Sequence, residues 1–245
     1  MLGRFVTLMR PLHLCLFLFA AVGLATAQTI PGGPLPPIKQ ISMVRKLAPV
    51  YPFDLLIKGK TGTAEVRFMV DYSGRPVMTT IAEATNPVFG RALLAEVESN
   101  EFMPPRVNGQ PQISLTGQRY TFDEANLDPA EKRVLAELRK PNPAFPSARE
   151  LDSPLSPVRR EPPTYPLALL SEGTGGKTEI EFIVTQEGRV AFPRIVSGTH
   201  EDFGWAAATA IARWRYQPPV KGGQKVDTRT SIVVSFDAAK GTASF

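Results

Sequence analysis

Cysteine and histidine are nearly missing. The 245 residues hold one cysteine, Cys15, and two histidines, and both Cys15 and His13 sit in an apolar run near the amino terminus, residues 12–24. Loss of that run would leave no thiol and one imidazole, His200. This excludes a disulfide framework, a thiol nucleophile and a zinc site, which takes three or four protein ligands. A Ser-His-Asp mechanism would rest on His200 alone, and its place at the start of a helix reads as a surface residue near a cap. Charge of one sign is not gathered anywhere either. The formal charge is +5, falling by two to +3 if Arg4 and Arg10 leave with the amino-terminal run, and bases alternate with acids (Lys58 with Asp54, Arg67 with Glu65, Arg189 with Glu187). A stripe that tracks nucleic-acid phosphates is excluded.

Two further chemistries fail on position. Residues 173–178 read GTGGKT, but Ser171 stands where a phosphate loop needs its leading glycine, and the segment runs from a helix into a strand, the reverse of the required order. Glu179 and Glu181 share the wet face of one strand, whereas a two-carboxylate hydrolase needs its acids opposed across a cleft. A non-catalytic chain without cofactor or metal is expected.

What is present begins with a leader. Arg4 and Arg10 precede the apolar run, and Ala25-Thr26-Ala27 offers a cleavage site, so residues 1–27 read as a signal peptide for export. The alternative is an uncleaved anchor, for which the run is well short of the ~20 residues a spanning helix needs. Proline is abundant, with 24 residues in the chain and dense runs at 30–37 and 141–163, and these stretches read as stiff spacers.

The dominant pattern is a repeat. At a constant offset of 114 residues the second half answers the first from 49/163 to 123/237, with identities at Tyr51/Tyr165, Pro52/Pro166, Gly59/Gly173, Gly62/Gly176, Phe68/Phe182, Gly74/Gly188, Phe89/Phe203, Gly90/Gly204 and Phe122/Phe236. Each copy begins with Tyr-Pro and a short helix ending at Gly59 or Gly173. Alternation at 63–71 and 178–185 predicts a strand with one wet face, a glycine-ended turn leads into a second strand, about 76–84 and 190–197, and a third follows at about 113–122 and 227–236. Between the second and third strands lies a helix. In the second copy Phe203, Ala207, Ala210, Ile211 and Trp214 make one apolar stripe, with Thr199 as cap, Asp202 completing a capping box and Pro218-Pro219 ending it. The first copy keeps Phe89, Leu93 and Val97 but has Asn100 and Glu101 where Trp214 and Arg215 stand. The fold class expected is α+β, two tandem domains, each a three-stranded antiparallel sheet covered on one face by a helix. Boundaries are expected at 28–44 for a spacer, 45–126 for the first domain, 127–158 for a linker with one helix capped by Asp128, and 159–245 for the second.

The second copy closely resembles the TonB C-terminal domain family, on Tyr165-Pro166, Gly173, Gly176, the strand 178–184, Gly188-Arg189-Val190 and above all Arg213-Trp214-Arg215-Tyr216 with Pro218. The resemblance implies a periplasmic, Gram-negative envelope protein with a central first strand and the third strand at the sheet edge, where a short segment of an outer-membrane receptor adds as another strand. The residues support such an edge independently. Asp227, Thr228, Arg229, Thr230, Ser231, Ile232, Val233, Val234 and Ser235 contain no proline to block pairing. Arg229, Ser231 and Val233 would face outward and select the partner. The partner expected is an envelope protein such as a TonB-dependent outer-membrane receptor, and no nucleic acid. Alternatives are an edge covered by the chain itself or by a second copy in a strand-exchanged homodimer, an inner-membrane-anchored energy transducer, a structural envelope adaptor, and a hydrolase with an unrecognised site.

Overall fold

The computed structural model describes Ser42, Val44 and residues 48–245. The signal peptide expected at 1–27 lies outside the described residues, as does the spacer at 28–44 apart from Ser42 and Val44. In the first half, Pro52 leads into α1 (Phe53–Ile57), and Gly59 at φ +63° turns the chain into β1 (Gly62–Val70) and β2 (Pro76–Ala84). Helix α2 (Pro87–Glu98) starts at Asn86, whose side chain accepts the Val88 N–H. A small hairpin of β3 (Arg106–Val107) and β4 (Gln110–Pro111) precedes β5 (Ser114–Phe122). Helix α3 (Pro129–Leu138) follows, opened by a capping box between Asp128 and Glu131.

The second half runs through β6 (Pro157–Arg159), α4 (Leu167–Ser171), β7 (Gly176–Val184), β8 (Val190–Gly198), α5 (Glu201–Ala212) and β9 (Arg215–Tyr216). It ends with a hairpin of β10 (Val220–Lys221) and β11 (Gln224–Lys225), then β12 (Thr228–Asp237) and β13 (Thr242–Ser244). The first sheet has the order β2-β1-β5 and the second β13-β12-β7-β8, with antiparallel pairing throughout. The second sheet is therefore four-stranded, not three-stranded as expected. Asp237 accepts the N–H groups of Ala239 and Lys240, Gly241 takes φ +60°, and this tight turn returns the last residues to the sheet.

The sequence offset carries into fine geometry. Gly74 and Gly188 lie at φ +88° and +78°, and a Cβ on either would stand 2.2 Å or 2.1 Å from the carbonyl oxygen of Phe102 or Tyr216, so only glycine fits either turn. Met78 and Phe192, 114 apart, both take positive φ where the pairing of each hairpin slips at a bulge. Tyr51 meets Phe89 and Phe122 edge-on and donates its hydroxyl to the Lys60 carbonyl at 2.9 Å; Tyr165 does the same with Phe203, Phe236 and the Thr174 carbonyl at 2.6 Å.

Helix α5 is not the one-striped helix expected. Every residue from Phe203 to Ile211 is buried, because one side lies on β7 and β8 while the other packs on α2. Trp205 and Ala206 of α5 face Leu94, Ala95 and the capping Ser99 of α2 along this seam. The contact is fixed at both ends, by Arg91 to Glu201 at 2.7 Å and by Arg213 donating to the Ser99 carbonyl at 3.1 Å and hydroxyl at 2.6 Å. Its cap is His200, whose Nδ1 accepts the Asp202 N–H, and Thr199 instead accepts the Lys177 N–H. The described residues thus belong to one compact unit. Among the described residues no helix is long and apolar enough to cross a membrane, and no group of three or more metal-ligating side chains occurs.

The first half has replaced an aromatic anchor by a polar cluster. Where the second half holds Ala210, Trp214 and Ile232, the first holds Glu96, Asn100 and Gln118. Glu96 is fully buried, and Gln118 Nε2 and Asn100 Nδ2 both donate to its carboxylate. Burial pushes the Glu96 carboxyl up to about 7, opposed by those hydrogen bonds and by the Arg213 charge. A carboxyl with a folded pKa above its unfolded value gives stability that is complete below about pH 4.5 and lost as pH rises through 7. At ~1.4 kcal/mol per unit the loss is roughly 3 kcal/mol. Urea unfolding at pH 5 and pH 8 should show that slope in the native chain and a slope smaller by about that amount in Glu96→Gln, uncharged at both pH values.

Candidate functional site

The candidate site is the outer edge of β12. Its register against β7 pairs Thr228 with Val184 and Phe236 with Gly176. Thr228, Val234 and Phe236 are buried, Phe236 stacked on Phe203 of α5, while Ser231, Val233 and Ser235 are exposed. In-plane, backbone groups of an antiparallel strand alternate between its two neighbours. The Arg229 N–H goes outward to the Pro146 carbonyl at 3.0 Å, and Ser235 and Asp237 pair outward with Ser244 and Thr242. By that parity Ser231 and Val233 turn N–H and C=O away from β7, and no pairing occupies them among the described residues.

The edge expected over nine residues is thus a short slot. At one end Ser147 forms a parallel bridge with Arg229, and the Arg229 guanidinium lies 5.4 Å over the Phe145 ring. At the other end β13 seals Ser235 to Asp237. The span between Arg229 and Ser235 is roughly 20 Å at ~3.4 Å per residue. Because β13 is antiparallel to β12, Phe245 at its end points toward the slot.

Four expected site residues therefore have other roles, the first of them Thr228, which is fully buried and paired with Val184 of β7. Asp227 accepts the Gln186 N–H at 2.8 Å and the Arg133 guanidinium at 3.0 Å and 3.2 Å, tying the β7–β8 turn to α3. Arg133 also holds Glu187, whose carboxyl stands at about 2; burial, the largest single influence, would raise it, and the hydrogen bonds from Arg133, Thr185 and Gln186 together with the Arg133 charge outweigh that. Arg229 is stacked under the linker rather than presented to a partner, and Ser235 is paired. The slot itself comprises Thr230, Ser231, Ile232, Val233 and Val234.

Support for the slot comes from the end of α5. Trp214 is fully buried just beyond the helix, its Nε1 donating to the Glu161 carbonyl at 2.9 Å and its ring 6.2 Å edge-on to Phe182 of β7. Arg160 lies 5.0 Å over that ring, and Phe245 packs on it at 4.8 Å. The aromatic anchor thus grips both the central strand and the carboxyl-terminal residue that borders the slot. The covering strand β13 was missed in the sequence because its three residues, Thr-Ala-Ser, carry no hydrophobic alternation.

Comparison with known proteins bears on this half. Residues 161–238 match the family described as Gram-negative bacterial TonB protein C-terminal. Protein TonB of Pseudomonas aeruginosa is 29% identical over 97 residues, which cover 39% of this chain and 28% of that protein's length. The solution structure of the Pseudomonas aeruginosa TonB CTD shares 28% identity over 34% of this chain and 86% of that one, with a TM-score of 0.31.

Proposed function

Starting from a second half that matches the TonB C-terminal family, we propose that the protein is a non-catalytic periplasmic binding protein that takes an extended segment of an envelope protein as an added strand on β12. Its place would be in TonB-dependent outer-membrane transport, with a receptor's amino-terminal segment as the partner. The observation that carries this reading is the slot at Thr230 to Val234, with the outward backbone groups of Ser231 and Val233 unpaired among the described residues and flanked by two segments of the same chain. Main-chain bonds would supply affinity there, and the exposed Ser231 and Val233 side chains would discriminate among partners.

Release of β13 would lengthen the site by the outward groups of Ser235 and Asp237. It is held by three residue pairs and the packing of Phe245 on Trp214, a small contact to displace. Calorimetric titration with receptor amino-terminal peptides tests this. Binding by the full chain, and tighter binding by a chain ending at Lys240, are expected. Peptides that bind neither form would refute the reading.

A further inference from the structure

A second site, unrelated to the β12 edge, lies between the two halves. A cleft of about 290 Å³ is lined from the first half by Val50 and Leu127 and from the second by Phe192, Pro193, Arg189 and Arg215. Its acids are already engaged: Asp128 with Arg189, Asp123 with the Ala125 N–H, and Glu131 with the Asp128 N–H. Arg215 is not. Among the described residues its guanidinium makes one hydrogen bond, Nη1 to the carbonyl of its own neighbour Trp214 at 2.8 Å.

Backbone pairing sets Arg215 between two more arginines. It pairs with Arg159 of β6 on one side and bridges Arg189 on the other. Arg159 holds Glu161 and Arg189 holds Asp128, and of the three arginines Arg215 is the one with no carboxylate partner among the described residues. Desolvation first, then the Arg189 and Arg159 charges, lower the Arg215 pKa. A cation held beside like charges at the wall of a partly apolar cavity is stabilised by an anion there, and a guanidinium fork suits oxyanions in particular.

We propose that this cleft binds a small organic oxyanion, its carboxylate or phosphate held by Arg215 beside Arg189 and its apolar body laid against Val50, Leu127, Phe192 and Pro193. The polar head fixes orientation and the apolar walls supply contact, the usual division in a small-molecule site.

Titration of the full chain with acetate, hexanoate and phenyl phosphate, read by NMR at the cleft amides and arginine Nε–H groups, tests the proposal. Hexanoate or phenyl phosphate should shift the Arg215 and Phe192 signals with a Kd at least ten-fold below that of acetate. Which of the two binds more tightly distinguishes a carboxylate from a phosphate site. Arg215→Gln should weaken that binding at least ten-fold at an unchanged Tm, and Arg215→Lys, which keeps the charge without the fork, should fall between. Acetate binding as tightly as hexanoate and phenyl phosphate, no shifts at the cleft from any probe, or equal binding by Arg215→Gln would each overturn it.

Discussion

Trp214→Ala is expected to destabilise the protein by ~3 to 5 kcal/mol, the cost of emptying a large buried aromatic site. The side chain is wholly buried, and its removal leaves the Glu161 carbonyl without its indole donor and Arg160 without the ring it covers. That loss is comparable to the whole stability of many small domains. Because α2 and α5 share an interface, the first half should be weakened along with the second, and urea unfolding followed by both fluorescence and circular dichroism should show one transition at a lower midpoint. Asn100→Ala, at the equivalent position of the first half, removes fewer atoms and should cost less. A Trp214→Ala midpoint close to that of the native chain would show that the tryptophan does not anchor this half.

The second large effect is on binding. Val233 turns its N–H outward, so Val233→Pro removes no bond to β7 but takes away a donor the incoming strand needs and places a ring at the edge. Proline is tolerated in a strand on that side only. The variant should keep its Tm within a few degrees and lose at least ten-fold in peptide affinity. Ile232→Pro is the control with opposite parity: its N–H faces β7, and its loss should lower the Tm sharply. If both variants bind peptide as the native chain does, the added strand is not on β12.

Much of the architecture could be read from the repeat. The glycine turns at Gly74 and Gly188, the Tyr51 and Tyr165 clusters and the strand alternation follow from local chemistry that both halves obey. The environment of α5 was less legible, although its composition held the signal. A helix apolar on nearly every side is covered on every side, and Trp205 and Ala206, outside the expected stripe, lie on the face that meets α2. The Glu96, Asn100 and Gln118 cluster could also have been found at the 114-residue offset, where each replaces a small or apolar residue at a core position.

The site was legible in its strand and not in its length. The absence of proline in β12 marks an edge able to pair, but the segments that shorten it come from elsewhere in the chain. Phe145 and Pro146 reach it from the linker, and the Thr-Ala-Ser of β13 pairs because a turn brings it there. Pairing set by a turn and by distant packing leaves no period in the sequence. The same holds for the cleft at Arg215, assembled from strands far apart in the chain.

The most direct test of strand addition is amide hydrogen exchange of the full chain with and without a receptor amino-terminal peptide. Slowed exchange is expected at Ser231 and Val233, with Thr230 and Ile232, already bonded to β7, changing little. Protection appearing instead on β5, at Leu115, Gly117 and Arg119, or at no strand edge, would contradict the assignment of partner binding to β12.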